Sequence, residues 1–124
     1  MEKGIEKTIE IAKKDSEVLA VALFGSHLKG KGRDIDICIF LRKKLTNLEM
    51  SKKRLSFLSA LSDNFDVNIF QQLPLYIRKR ILKEGKILFC KDEDVLYDLA
   101  FSTIKEFEFY EKLYNMYLKG IENG

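Results

Sequence analysis

The sequence has no tryptophan, one histidine and one proline in 124 residues, and only two cysteines. With so little proline and seven glycines it is not a linker protein, and 46% hydrophobic residues is too apolar for a disordered chain. Long apolar runs are also missing. The longest, Val18 to Phe24, has seven residues, against roughly 18 or more for a membrane-spanning helix. The segment Met1–Glu6 mixes both charges and has no apolar stretch, so neither a secretory signal nor a membrane partner is expected. Cys38 and Cys90 both fall in strand-like apolar runs and read as free thiols of a cytoplasmic protein.

The charge is uneven. The chain carries a net +3, but residues 1–91 hold 19 Lys/Arg against 11 Asp/Glu, whereas residues 92–124 hold three against eight. A basic body can attract phosphates, and an acidic tail argues against a nucleic-acid partner along the whole length. A length of 124 residues predicts one domain over 1–124, with a core at about 5–90 and a C-terminal helix at about 92–120.

Periodicity gives an α+β order. Ile5, Thr8, Ile9 and Ala12 make a helical stripe over about residues 2–14. Val18–Phe24 reads as a buried strand, and Ile35–Leu41 as another. The latter puts Ile35, Ile37 and Ile39 on one face and Asp34, Asp36, Cys38 and Phe40 on the other. Thr46-x-x-Glu49 is a capping box opening a helix that carries Leu48, Leu55, Leu58 and Leu61. Asp63-Asn64 predicts a turn before a strand over Phe65–Phe70. Pro74 starts a helix to about Lys83, Gly85 stops it, and Ile87–Cys90 is a short last strand. Asp92 caps a final helix predicted to run to Lys119, with Gly120 as its stop. This helix carries Tyr97, Phe101, Phe107, Phe109, Tyr110, Tyr114 and Tyr117. That is more aromatic surface than one side of a small sheet can cover; the helix either wraps its own domain or, the favoured expectation, buries its distal half against another chain.

The stretch Phe24-Gly25-Ser26-His27-Leu28-Lys29-Gly30-Lys31-Gly32-Arg33-Asp34-Ile35-Asp36 carries the chemistry. A strand ends at Gly25-Ser26, where glycine permits close backbone approach, serine offers a hydroxyl and turn N–H groups can bind a phosphate oxygen. Lys29, Lys31 and Arg33 add positive charge. Asp34 and Asp36 then project from one face of the next strand. Two carboxylates on one face repel unless a cation lies between them, and a hard divalent ion such as Mg²⁺ resolves the conflict. His27 reads as a solvated loop histidine, and Tyr76, Arg78 and Arg80 as parts of an ordinary amphipathic helix.

Gly25-Ser26, Gly30 and Asp34-x-Asp36 resemble the signature of the DNA polymerase β-like nucleotidyltransferases, especially their minimal nucleotidyltransferase branch. The resemblance covers roughly residues 5–90. It implies a small mixed sheet flanked by helices and a third carboxylate on a neighbouring strand, which Asp66 matches. A separate geometric argument agrees: a helix between the Asp34/Asp36 strand and the Asp66 strand makes a β-α-β crossover, so the two strand beginnings share one edge of the sheet. Two departures concern the triphosphate loop. The spacer from Ser26 to Asp34 is seven residues, shorter than in many members, and Arg33 stands where a serine often precedes the first aspartate.

The resemblance implies a two-metal Mg²⁺ site on Asp34, Asp36 and Asp66, with ATP as nucleotide held by Gly25, Ser26, Lys29, Gly30 and Lys31. It further implies transfer of a nucleoside monophosphate to a hydroxyl. Many members of the branch are antitoxins of helical HEPN-domain toxins, and some add AMP to a tyrosine of the toxin, so a HEPN partner leads the expectation. A homodimer is an alternative assembly. The rival function is a non-catalytic antitoxin that occludes its partner through the aromatic C-terminal helix.

Overall fold

Alternation along the second strand decides the layers of the fold. In the computed structural model, which describes residues 3–25 and 35–123, this strand, β2 (Ile35–Leu41), lies between β1 (Val18–Phe24) and β3 (Phe65–Ile69), and β4 (Lys86–Cys90) lies outside β1. The order is β3-β2-β1-β4, with β1 antiparallel to both β2 and β4, and β2 parallel to β3. The parallel pair is the predicted crossover, made through α2 (Asn47–Ser59).

One face of the sheet presents Val21, Ile35, Ile37, Ile39, Val67 and Ile69 to α1 (Lys3–Lys14) and α2. The other presents Ala20, Ala22, Cys38 and Phe40, with Phe70, to α3 (Leu75–Glu84) and α4 (Glu93–Asn123). Both faces are covered, which accounts for the near-continuous apolar run of β1. Phe40 and Phe70 stack with ring centroids 4.4 Å apart. Cys38 is fully buried, burial pushes its thiol far up, and both cysteines are free. Such a thiol is unreactive at neutral pH.

At the end of the sheet where β1 starts, Lys53 joins α2 to the α1–β1 turn, with Nζ 2.6 Å from Asp15 and 3.0 Å from Glu17. Burial pulls this ammonium down, but the hydrogen bonds to the two carboxylates more than offset it and hold its pKa above the ordinary lysine value.

Three expectations need correction. The strand predicted over Phe65–Phe70 ends at Ile69, because Phe70–Gln72 turn into a 3₁₀ segment whose Gln71 Nε2 donates to the Leu41 carbonyl and whose Oε1 accepts from the Leu41 N–H. The second helix does not carry all four predicted leucines: α2 ends at Ser59, before Leu61, and it buries Met50 and Phe57 while Leu48 and Leu55 are exposed and Leu58 is partly covered. The Thr46/Glu49 capping box forms as predicted, and it sets the start of α2 without fixing which face turns inward. Gly120 does not stop the last helix, which runs to Asn123. Nothing lies within 4 Å of where its Cβ would be, so the position costs only the ordinary glycine penalty within a helix, about 1 kcal/mol.

Candidate active site

The site draws one residue from the turn just after β1 and one each from β2 and β3. Gly25 follows the last residue of β1 with φ +84°, a backbone conformation that side chains rarely adopt. A Cβ there would stand 2.2 Å from Asp36 Oδ2. Glycine is therefore required twice, by its backbone angle and by the carboxylate that fills the space beside it. Asp36 is the second residue of β2, and its register partner across the parallel ladder is Asp66, the second residue of β3. Strands lie about 4.8 Å apart in the pairing direction, so two carboxylates stand side by side on one face. On that same face the ladder passes from Asp36/Asp66 to Cys38/Asn68 and then to the Phe40–Phe70 stack. An acidic rim thus grades into an aromatic core over two strand repeats.

Asp66 is anchored through both oxygens. Arg54 Nη2 on α2 donates to Oδ1 at 3.4 Å, and Asn68 Nδ2 donates to Oδ2 at 3.3 Å. Arg54 also donates from Nε to the Val67 carbonyl at 2.6 Å, which satisfies a backbone acceptor on the outer side of an edge strand.

Of the predicted site residues, the structure brings together Gly25, Asp36 and Asp66. Ser26, Lys29, Gly30, Lys31 and Asp34, together with His27 and Arg33, lie outside the described residues. Among the described residues no group of three His, Cys, Asp or Glu side chains gathers as a metal cluster. The pair that is present still suits Mg²⁺: both donors are hard carboxylate oxygens, and this ion is commonly held by one or two carboxylates, with water and substrate phosphates completing its shell.

Arg54 and Asn68 were not singled out from the sequence. Asn68 had a signal, since period two places it on the same face as Asp66. Arg54 had a fainter one, at helical spacing between Met50 and Phe57 on the stripe that α2 buries.

A family model described as polymerase beta nucleotidyltransferase matches residues 6–94. The chain belongs to this family. A candidate protein adenylyltransferase of Methanocaldococcus jannaschii is 38% identical over 77 residues, covering 60% of this chain and 57% of that protein. The chain therefore spans just over half the length of the curated relative it matches. Among solved structures, a chain from a toxin–antitoxin complex with AMP-PNP matches at TM-score 0.69 and 21% identity, covering 95% of each chain. A chain from the tri-AMPylated Shewanella oneidensis HEPN toxin in complex with its MNT antitoxin matches at TM-score 0.65 and 20% identity, over 94% of this chain and 92% of that one. At these identities the structural likeness establishes the polymerase beta-like nucleotidyltransferase fold.

Proposed function

We propose that this protein is a single-domain, Mg²⁺-dependent nucleotidyltransferase that moves AMP from ATP to a hydroxyl, with a tyrosine of a HEPN-domain partner as acceptor. The observation that carries the reading is the register pairing of Asp36 with Asp66 beside Gly25, in a chain whose family is nucleotidyltransferase. The relative described as a protein adenylyltransferase, and the solved assemblies that hold AMP-PNP or an AMPylated HEPN toxin, support the nucleotide and the acceptor.

Asp34, Asp36 and Asp66 hold the metal in this reading, and Mg²⁺ supplies charge neutralisation on the triphosphate and a more acidic acceptor hydroxyl. The acceptor oxygen forms a bond to the α-phosphorus, the bond to the β-phosphate oxygen breaks, and pyrophosphate leaves. Asp66 takes the hydroxyl proton. In this reading Ser26, Gly30 and the backbone after Gly25 bind the β- and γ-phosphates, and Lys29 and Lys31 offset charge on the leaving pyrophosphate. Incubation with α-labelled ATP, Mg²⁺ and a HEPN partner tests the reading. The partner should gain label and the mass of AMP, and Asp36→Asn or Asp66→Asn should lower transfer by at least 100-fold, the scale on which removing a group that stabilises the transition state is felt. Transfer by Asp36→Asn at the wild-type rate would refute it.

A second reading rests on α4. Its inner face, Leu96, Leu99, Thr103 and Phe107, packs on the domain, and the same spacing continues through Tyr110, Tyr114, Tyr117 and Ile121, which are all exposed. We propose this continuation as the surface on which the partner docks. Neutralisation by occlusion alone would survive loss of Asp36 and fail when Tyr110 and Tyr114 are changed, whereas enzymatic neutralisation fails already when Asp36 is lost.

A further inference from the structure

We infer that Arg54 is a positioning residue for the carboxylate pair, fixing Asp66 from outside the sheet so that it stands in line with Asp36. The inference rests on the reading of that pair as metal ligands. Its own observations are three. First, the guanidinium is held independently of Asp66, because Nε donates to the Val67 carbonyl at 2.6 Å. With Nε held there, Nη2 is the nitrogen that meets Asp66.

Second, Nη2 meets Asp66 Oδ1 while Asn68 takes Oδ2, so the carboxylate is gripped from two sides and its rotation is restricted. Third, Asp66 is not consumed by this grip. Its side chain is 46% exposed and the contact to Arg54 is 3.4 Å, the long end of a hydrogen bond. A carboxylate oxygen has lone pairs to spare for a second cation. Two like charges in register on neighbouring strands also destabilise each other, and the ion pair that Asp66 makes among the described residues is with Arg54.

An arginine that served only to satisfy an edge carbonyl would need only the Val67 contact. Groups that hydrogen-bond a ligating carboxylate commonly change metal affinity tenfold or more when removed. Lysine cannot reproduce the role, because it has no second nitrogen in a rigid fork to hold the carbonyl and the carboxylate together.

The test is Mn²⁺ binding to the full chain without nucleotide, followed by the electron paramagnetic resonance signal of the free ion. Arg54→Met should bind Mn²⁺ about tenfold more weakly than the wild type, and Arg54→Lys should fall between the two. Arg54→Met binding as tightly as the wild type, or more tightly, overturns the inference and leaves Arg54 as an edge cap. If Arg54→Met does not fold, Arg54→Lys decides: weakened binding upholds the inference and wild-type affinity overturns it. Asp36→Asn and Asp66→Asn separate the two levels. If neither changes Mn²⁺ binding, the metal-ligand reading itself fails. If both weaken it and the Arg54 variants do not, only the role of Arg54 is lost.

Discussion

At the scale of single residues the site depends on what does not fit beside it. Gly25 leaves a space that the Asp36 carboxylate enters, so Gly25→Ala must either move Asp36 or distort the end of β1. A strained backbone angle in an L-residue costs on the order of 1–3 kcal/mol. Gly25→Ala should therefore lower the free energy of unfolding by that amount in urea titration, and also weaken Mn²⁺ binding; a stable variant with wild-type Mn²⁺ affinity would contradict the assignment of this contact to the site. The pairing of Asp36 with Asp66 was legible in the sequence because two rules converge on it: period two along a strand fixes the face, and a helical crossover makes successive strands parallel, so residues at equal distance from their strand starts become neighbours. The anchor Arg54 was not legible, because which stripe of α2 turns inward is decided by tertiary packing. Leu48 and Leu55 are as apolar as Met50 and Phe57, yet the first two are exposed and the last two buried.

At the scale of elements, local chemistry ends and starts helices with unequal authority. Thr46 Oγ1 accepts from the Glu49 N–H at 3.1 Å and Glu49 Oε1 accepts from the Thr46 N–H at 3.3 Å, closing the box that begins α2. Thr46→Ala should cost about 1 kcal/mol in thermal or urea unfolding. The hydrogen bonds from the Thr46 side chain and backbone lower the Glu49 pKa below its ordinary value of 4.5. A carboxyl that is more acidic when folded stabilises the fold above its unfolded pKa, and that contribution disappears as pH falls through the folded one. The deficit of Thr46→Ala relative to the wild type should therefore be full at neutral pH and shrink as acid takes the solution below 4.5. An unchanged deficit at low pH would show that the Thr46 hydroxyl does not donate to the Glu49 carboxylate.

Asp92 likewise opens α4, accepting from the N–H groups of Asp94 and Val95. Gly120, by contrast, looked like a stop and is not one. A glycine ends a helix only when the chain takes the turn it permits, and the residues around Gly120 continue the helical ladder to Asn123. Gly120→Ala should accordingly stabilise α4 by about 0.5–1 kcal/mol of helix propensity, read as a rise in helical ellipticity; a fall would mean that the glycine makes a bend after all.

At the scale of the molecule, the long helix divides the protein into a packed part and a projecting one. It meets α3 through Arg78 with Glu106 at 3.9 Å and Lys79 over the Phe107 ring at 4.1 Å. Every residue from 108 to 122 is exposed, and the 16 residues from 108 to 123 extend about 24 Å at 1.5 Å per residue. An isolated helix of that length is marginal in water, so the overhang gains most from whatever covers Tyr110, Tyr114 and Tyr117. Glutamate at Tyr110 and Tyr114 together should abolish co-purification with a HEPN partner and leave the thermal midpoint of the lone chain within about 2 °C, since exposed positions rarely contribute more than 0.5 kcal/mol. Loss of the midpoint as well would mean that the overhang folds back on its own domain.

If a partner docks on that projection, the fate of an undocked copy follows from it. A segment whose helix holds only weakly opens often, and opened backbone is what a protease cuts. A chain made in excess of its partner would be trimmed first between residues 108 and 123, whereas a docked chain would be shielded over the same stretch. The amount of docked protein would then be metered at the far end of the molecule, by cleavage of whatever remains uncovered, with the acidic rim taking no part.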